Sequence, residues 1–195
     1  MKTRLILFLI LAPLLNARTE DKPEPGELVN ADFSEHEGEG IPAGWRFTKT
    51  PWIDTRTSKE AIPEEVTVST LTEGSKSLVR IAYRDNRDGC LVQTVEIPPK
   101  AKEARFKVSV RGKPDVEGGR LIMPDGGFRF FNAAGKFLPV PSSTKPPQDL
   151  SAKSWNDIEF TCQIPPGATF CNVIIGNLNS TSGIFEFRGV SVKFR

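Results

Sequence analysis

The sequence predicts an all-β protein, a two-sheet antiparallel β-sandwich over about residues 28–195, and three observations carry that expectation. Apolar residues recur with a period of two rather than 3.6. Turn-forming clusters punctuate the alternating runs. All sixteen Gly and fifteen of the sixteen Pro follow Ala17, as expected for many short strands joined by turns.

The chain opens on Met1-Lys2-Thr3-Arg4, a basic segment, followed by an apolar run from Leu5 to Leu15 and a small residue at Ala17. That layout reads as a secretory signal peptide over residues 1–17. The run is about half of the roughly 20 apolar residues a membrane-spanning helix needs. The expected location is therefore secreted, periplasmic or cell-surface, with no membrane span. Cleavage after Ala17 removes Lys2 and Arg4 and no acid, which leaves 24 basic and 24 acidic residues. A neutral mature chain argues against nucleic acid as a partner, because such proteins carry a basic footprint. Residues 18–27 form a polar leader containing two Pro, expected to be disordered.

The alternations then come in order: Val66/Val68, Val79/Ile81/Tyr83, Leu91/Gln93/Val95/Ile97 and Phe106/Val108/Val110. Ile158/Phe160/Cys162/Ile164, Cys171/Val173/Ile175 and Phe185/Phe187/Val190/Val192 follow, the last with a break at Gly189. Between them lie Glu73-Gly74-Ser75, Asp85 to Gly89, Pro98-Pro99-Lys100, Asp125-Gly126-Gly127, Pro165-Pro166-Gly167 and Ser182-Gly183. Residues 111–127 and 139–154 fall outside the pattern as long loops, functional or merely mobile.

Six motifs stand in an order that resembles carbohydrate-binding modules of the family 4/9 type. They are Asn30-Ala31-Asp32-Phe33 with Ile41-Pro42-Ala43-Gly44-Trp45, Ser77 to Ile81, Leu91 to Pro98, Arg105 to Arg111, Trp155 to Ala168 and Gly183 to Val192. Together they cover nearly all of 28–195. The resemblance implies a galactose-binding-like jelly roll that binds a polysaccharide without catalysing, alone or beside a separate secreted enzyme or surface protein. It also implies buried framework roles for Trp45 and Trp155, so that Trp155→Ala would cost about 3–5 kcal/mol. Such modules often hold a structural calcium near the opening Phe and the closing strand. Here Ser34 follows Phe33 where Glu is usual, and Arg188-Gly189 replace acidic residues, leaving Asp32 and Glu35 nearby. No other cofactor is implied.

Nothing in the sequence assembles a catalytic site. His36 is the only histidine, set in a charged Gly-containing loop, and neither a Gly-x-Ser-x-Gly elbow nor a phosphate loop occurs. Acids are plentiful, but no pair stands beside an aromatic platform as glycoside cleavage needs. Cys162 and Cys171 share apolar parity, which leaves a disulfide and two buried thiols both open, and Cys90 is unassigned.

Two features point to a ligand. Trp52 sits in polar surroundings near a turn, where an indole stacks on a sugar ring, packs into the core or anchors a loop, all three readings being open. Strand parity supplies the second. If Val79/Ile81, Phe106/Val108/Val110 and Phe128/Phe130 face inward, then Arg80, Arg84, Arg105, Lys107, Arg111, Arg129 and Phe131 face outward. Should these strands share a sheet, they form a basic face with one aromatic, suited to an anionic polysaccharide through bidentate Arg contacts. A solvated face paired with nearby Asp and Glu is the competing reading. Two other functions fit the same fold: a protein–protein or cell-surface assembly module, and a secreted glycan-active hydrolase.

Overall fold

The computed structural model describes residues 23–37, 40–57, 60–85, 87–114, 127–140, 150, 153–177 and 182–195. Residues 1–22, which include the expected signal peptide, and most of the two long loops lie outside the described residues. Twelve strands and no α-helix occur among them. The first four are β1 (His36–Glu37), β2 (Ile41–Pro42), β3 (Arg46–Thr48) and β4 (Val66–Glu73). Next come β5 (Lys76–Tyr83), β6 (Gly89–Glu96), β7 (Glu103–Pro114) and β8 (Phe128–Phe131). The last are β9 (Phe137–Leu138), β10 (Asn156–Gln163), β11 (Phe170–Asn177) and β12 (Gly183–Phe194).

The long strands form two five-stranded antiparallel sheets, as the alternation predicts. Sheet I has the order β3-β6-β11-β8-β9 and sheet II the order β10-β7-β12-β5-β4; β1 and β2 make a separate hairpin. Their facing sides form one core, with Phe106, Phe128, Phe130, Phe160, Phe185 and Phe187 at its centre. Tyr83 bridges the sheets: its hydroxyl donates to Gly89 O at 2.6 Å and accepts from Asn177 N at 3.0 Å. The break at Gly189 is a β-bulge, where the β12–β7 register shifts between Arg188 and Ser191. Gly189 there has a φ of 59°, and the extra residue lets Phe187 and Val190 both point inward.

Ordered chain begins earlier than expected. Gly26 N donates to Glu96 O at 2.8 Å, so residues 23–27 lie against sheet I rather than forming part of a disordered leader. Trp45 is buried and packs on Phe33, ring centroids 5.5 Å apart. Trp155 is a correction. It precedes β10 on the outer side of sheet II, half-buried, with Arg188 3.9 Å and Arg111 4.5 Å from its ring. Three or more kcal/mol for its loss no longer follows, because no core cavity would form. Cys90, Cys162 and Cys171 are free buried thiols. No helix among the described residues is long and apolar enough to cross a membrane.

Candidate functional site

The predicted basic face divides between two sheets. Arg80, Arg105 and Lys107 lie outward on sheet II, Arg84 follows β5, and Arg129 and Phe131 belong to β8 in sheet I. On sheet II the cations meet carboxylates across neighbouring strands. Arg105 pairs with Glu159 at 2.5 Å, and Lys107 with Asp157 at 3.5 Å. Arg80 pairs with Glu186 at 2.6 Å, and Arg111 reaches both Glu186 and Glu73. Arg84 donates to Glu64 O at 2.8 Å. Burial pushes the Glu186 carboxyl up, but the Arg111 and Arg80 hydrogen bonds more than offset it and hold the group below the usual range. The paired surface is thus the one realised, and the joint Arg–Phe131 face is not.

Sheet I holds the more unusual geometry. Its strands β6 and β11 are buried on both sides, because the loop after β3 crosses their outer face. Cys90, Val92 and Ile174 form a small apolar patch there, apart from the main core. Asn172, 0 % exposed, anchors the crossing. Its Nδ2 donates to Pro51 O and Ile53 O, both at 3.2 Å. Its Oδ1 accepts from Thr55 Oγ1 at 3.0 Å and Thr94 Oγ1 at 2.9 Å. Each hydrogen-bonding position of the amide is engaged.

Two further groups brace the loop. Arg46 Nη1 donates to Thr55 O at 2.8 Å and Arg56 O at 2.7 Å. The Glu60 carboxylate accepts from Thr48 Oγ1 at 2.9 Å, Lys49 N at 2.7 Å and Thr50 Oγ1 at 2.6 Å. Arg56 makes a fork on Asp54, with Nε–Oδ1 at 3.0 Å and Nη2–Oδ2 at 2.6 Å. Asp54 also lies against the β8–β9 turn, where Gly135 has a φ of 76° and a Cβ would come 2.8 Å from Asp54 Oδ2. At the middle of this fixed loop Trp52 is 47 % exposed and Ile53 42 % exposed.

Beneath the loop runs a stack of rings. The Arg56 guanidinium lies 3.9 Å from the Phe170 ring, Phe170 stacks on Phe131 at 5.2 Å, and Phe131 meets Phe137 edge-on at 6.0 Å. Arg129 lies 5.9 Å from the Phe137 ring. Phe131 therefore points outward as parity requires yet is 0 % exposed, covered by its neighbours. An open cleft of about 430 Å³ adjoins Arg56, lined by Glu27, Thr94, Glu96, Ala133 and Phe170 among others.

Sequence reasoning singled out Trp52 and missed what holds it: Asn172, Thr55, Arg46, Arg56 and Glu60. One signal was available. The outward positions of β6 and β11 include Cys90, Val92, Phe170 and Ile174, too apolar for a face in water.

The calcium expectation meets a poor donor set. Asp32 Oδ1 already accepts from Ser34 N at 3.2 Å and Ser34 Oγ at 2.9 Å, and the cations Lys76 and Arg188 line the same cleft. No group of three or more His, Cys, Asp or Glu suited to a metal occurs among the described residues. A hard cation wants several oxygen ligands, and these residues do not fit one.

The Glu60 clasp makes the loop sensitive to acid. Burial raises the Glu60 carboxyl, but its three hydrogen bonds outweigh this and leave it below the ordinary value. A lowered folded value means a stabilisation present above the unfolded pKa of about 4.3 and lost as pH falls through the folded one. Glu60→Gln is expected to cost about 1 kcal/mol at neutral pH. Its difference from wild type should be full above about pH 4.3, shrink as pH falls further and be lost only below the carboxyl's lowered folded value, as measured by denaturant unfolding across pH. A difference that persists in acid would show that the carboxylate's charge is irrelevant.

No family model matches the chain, and no curated protein sequence does. Among solved structures it is similar to the enzymatically active domain of tailspike protein 4 from bacteriophage CBA120. The TM-score is 0.60 at 12 % identity, covering 88 % of this chain and 21 % of that one. That likeness shows a shared fold, and this chain spans about a fifth of the tailspike chain. Carbohydrate-binding modules are also among the similar structures. The CBM22-1 xylan-binding domain of Paenibacillus barcinonensis Xyn10C has a TM-score of 0.48 at 11 % identity, with 84 % of this chain and 91 % of that one covered. A CBM4 structure has 0.49 at 12 % identity, with 87 % and 100 % covered.

Proposed function

We infer that the protein is an exported, non-catalytic module that binds a polysaccharide through the Trp52 loop on sheet I. One observation carries this reading: a large aromatic ring stands exposed at the middle of a loop whose backbone is fixed by a buried amide. An exposed indole is costly to leave in water, and a rigid one loses little conformational freedom when a ligand arrives. A flat ring offers the apolar face of a pyranose the contact that aromatic pairs make with one another. Asp54 and Arg56, on the same loop, supply acceptors and donors for sugar hydroxyls, and the adjoining cleft gives a chain room to continue. The resemblance over 28–195 to carbohydrate-binding modules agrees with this.

The anionic ligand first read from Arg80, Arg84, Arg105 and Lys107 has less support. Carboxylates already pair with Arg80, Arg105 and Lys107, and Arg84 donates to a backbone carbonyl, so the polysaccharide at Trp52 is read as neutral.

The test is binding to a panel of neutral polysaccharides with Trp52→Ala. Affinity is expected to fall at least tenfold, while thermal stability stays within about 0.5 kcal/mol of wild type. Equal binding by wild type and variant to every polysaccharide would defeat the assignment.

A further inference from the structure

A second cleft, of about 570 Å³, opens at the end of sheet II, on the molecule's other side from the Trp52 loop. Asp32, Ser34, Lys76, Ser77, Ser109 and Arg188 contribute to its lining. Its charged groups are not equally occupied. Asp157, which also faces the cleft, accepts from Ser109 Oγ at 2.5 Å and pairs with Lys107. Asp32 is taken up by Ser34. By contrast Lys76 makes no ion pair with any described residue, at the tip of the β4–β5 hairpin. Arg188 has the Glu73 carboxylate at 3.6 Å, beyond hydrogen-bond reach and already bound by Arg111 at 2.9 Å, and it meets the Asp157 carboxylate only through space.

Trp155 explains how Arg188 is held without using its donors. The guanidinium carbon lies 3.9 Å from the indole ring. The indole holds the guanidinium through its π-face, and none of the Arg188 N–H groups makes a hydrogen bond to a described residue. The bulge at Gly189 turns the backbone at this point, with Val190 N bonded to Ala31 O at 3.2 Å, so the base of the Arg188 side chain is fixed as well. An aligned guanidinium with a second free cation and serine hydroxyls beside it matches an oxyanion, which accepts in-plane forks and hydroxyl donors together.

We propose that this cleft is a second binding site, for the sulfate or carboxylate group of an acidic saccharide, with Arg188 as its principal contact and Lys76 as its second. The site shares no residue with the Trp52 loop, and either can fail without the other.

Isothermal titration calorimetry on the full chain carrying Trp52→Ala isolates it. Four probes are titrated at low salt: a sulfated oligosaccharide, a uronic-acid oligosaccharide, a neutral oligosaccharide and inorganic sulfate. The expected result is saturable binding of one or both acidic probes, weakening as salt rises, and none of the neutral one. Whichever acidic probe binds identifies the oxyanion. Arg188→Gln should weaken that binding at least tenfold. Lys76→Gln, an exposed change that leaves the fold intact, should weaken it about threefold even if Arg188→Gln proves unstable. Binding unchanged in both variants, or equal binding of the neutral probe, would overturn the assignment. So would inorganic sulfate binding where neither acidic oligosaccharide does, since that describes a free-anion site.

Discussion

Asn172→Leu is expected to lower stability by about 2–4 kcal/mol and to abolish polysaccharide binding, although residue 172 touches no ligand. The side chain fits a similar volume, so the loss comes from hydrogen bonding. Removing the amide leaves Pro51 O and Ile53 O without their donor and Thr55 and Thr94 without their acceptor. Each buried polar group stranded in this way costs about 1–3 kcal/mol, and the hydroxyls recover part by rotating. The loop then lifts from Cys90, Val92 and Ile174, and the Trp52 platform loses its fixed position. Asn172→Asp should be at least as damaging, because a carboxylate would face two carbonyl oxygens with no donor. Denaturant midpoints with unchanged m-values, measured beside binding isotherms, check the result. Wild-type affinity in a folded Asn172→Leu protein would show that the anchor does not organise the site.

Phe106→Ala should have the other large effect, about 3–5 kcal/mol, through cavity formation in the main core. Phe106 is fully buried on β7 of sheet II, with its ring 5.9 Å from Phe128 of sheet I and 6.2 Å from Phe160 of β10. Its loss therefore removes contacts within one sheet and between the two. Trp155→Ala supplies the contrast. A larger side chain is deleted, yet the cost expected is only about 1–2 kcal/mol, because what goes is cation–π contact and one hydrogen bond to Glu73 at a partly exposed surface. Chemical denaturation of both variants decides the order. If Trp155→Ala proved the more destabilising, the assignment of Trp155 to the outer face would be wrong.

Alternation made the sandwich legible. Phe106/Val108/Val110 and Cys171/Val173/Ile175 face the core because successive side chains on a strand point to opposite sides, a rule local to each strand. Even the bulge left a trace, since the alternation slips by one residue at Gly189. The polar neighbours of Trp52 singled it out but left core packing, loop anchoring and binding open; its exposure is a fact of the folded chain.

Strand neighbours are another matter. Parity states that Arg105 and Arg129 both turn away from the core, yet β7 and β8 pair in different sheets, so the two point to opposite sides of the molecule. Parity likewise sends Phe131 outward but is silent on whether another segment covers it. Trp155 had the composition of a core residue, and only the placement of Arg111 and Arg188 beside it put it at the surface. The fold class and the inward set of each long strand are therefore local properties, readable from residues close in the chain. Sheet membership, the ion pairs that offset the basic strands and the Asn172 anchor were decided by the tertiary structure. They depend on contacts between residues such as Thr55 and Asn172, 117 positions apart, which no local pattern encodes.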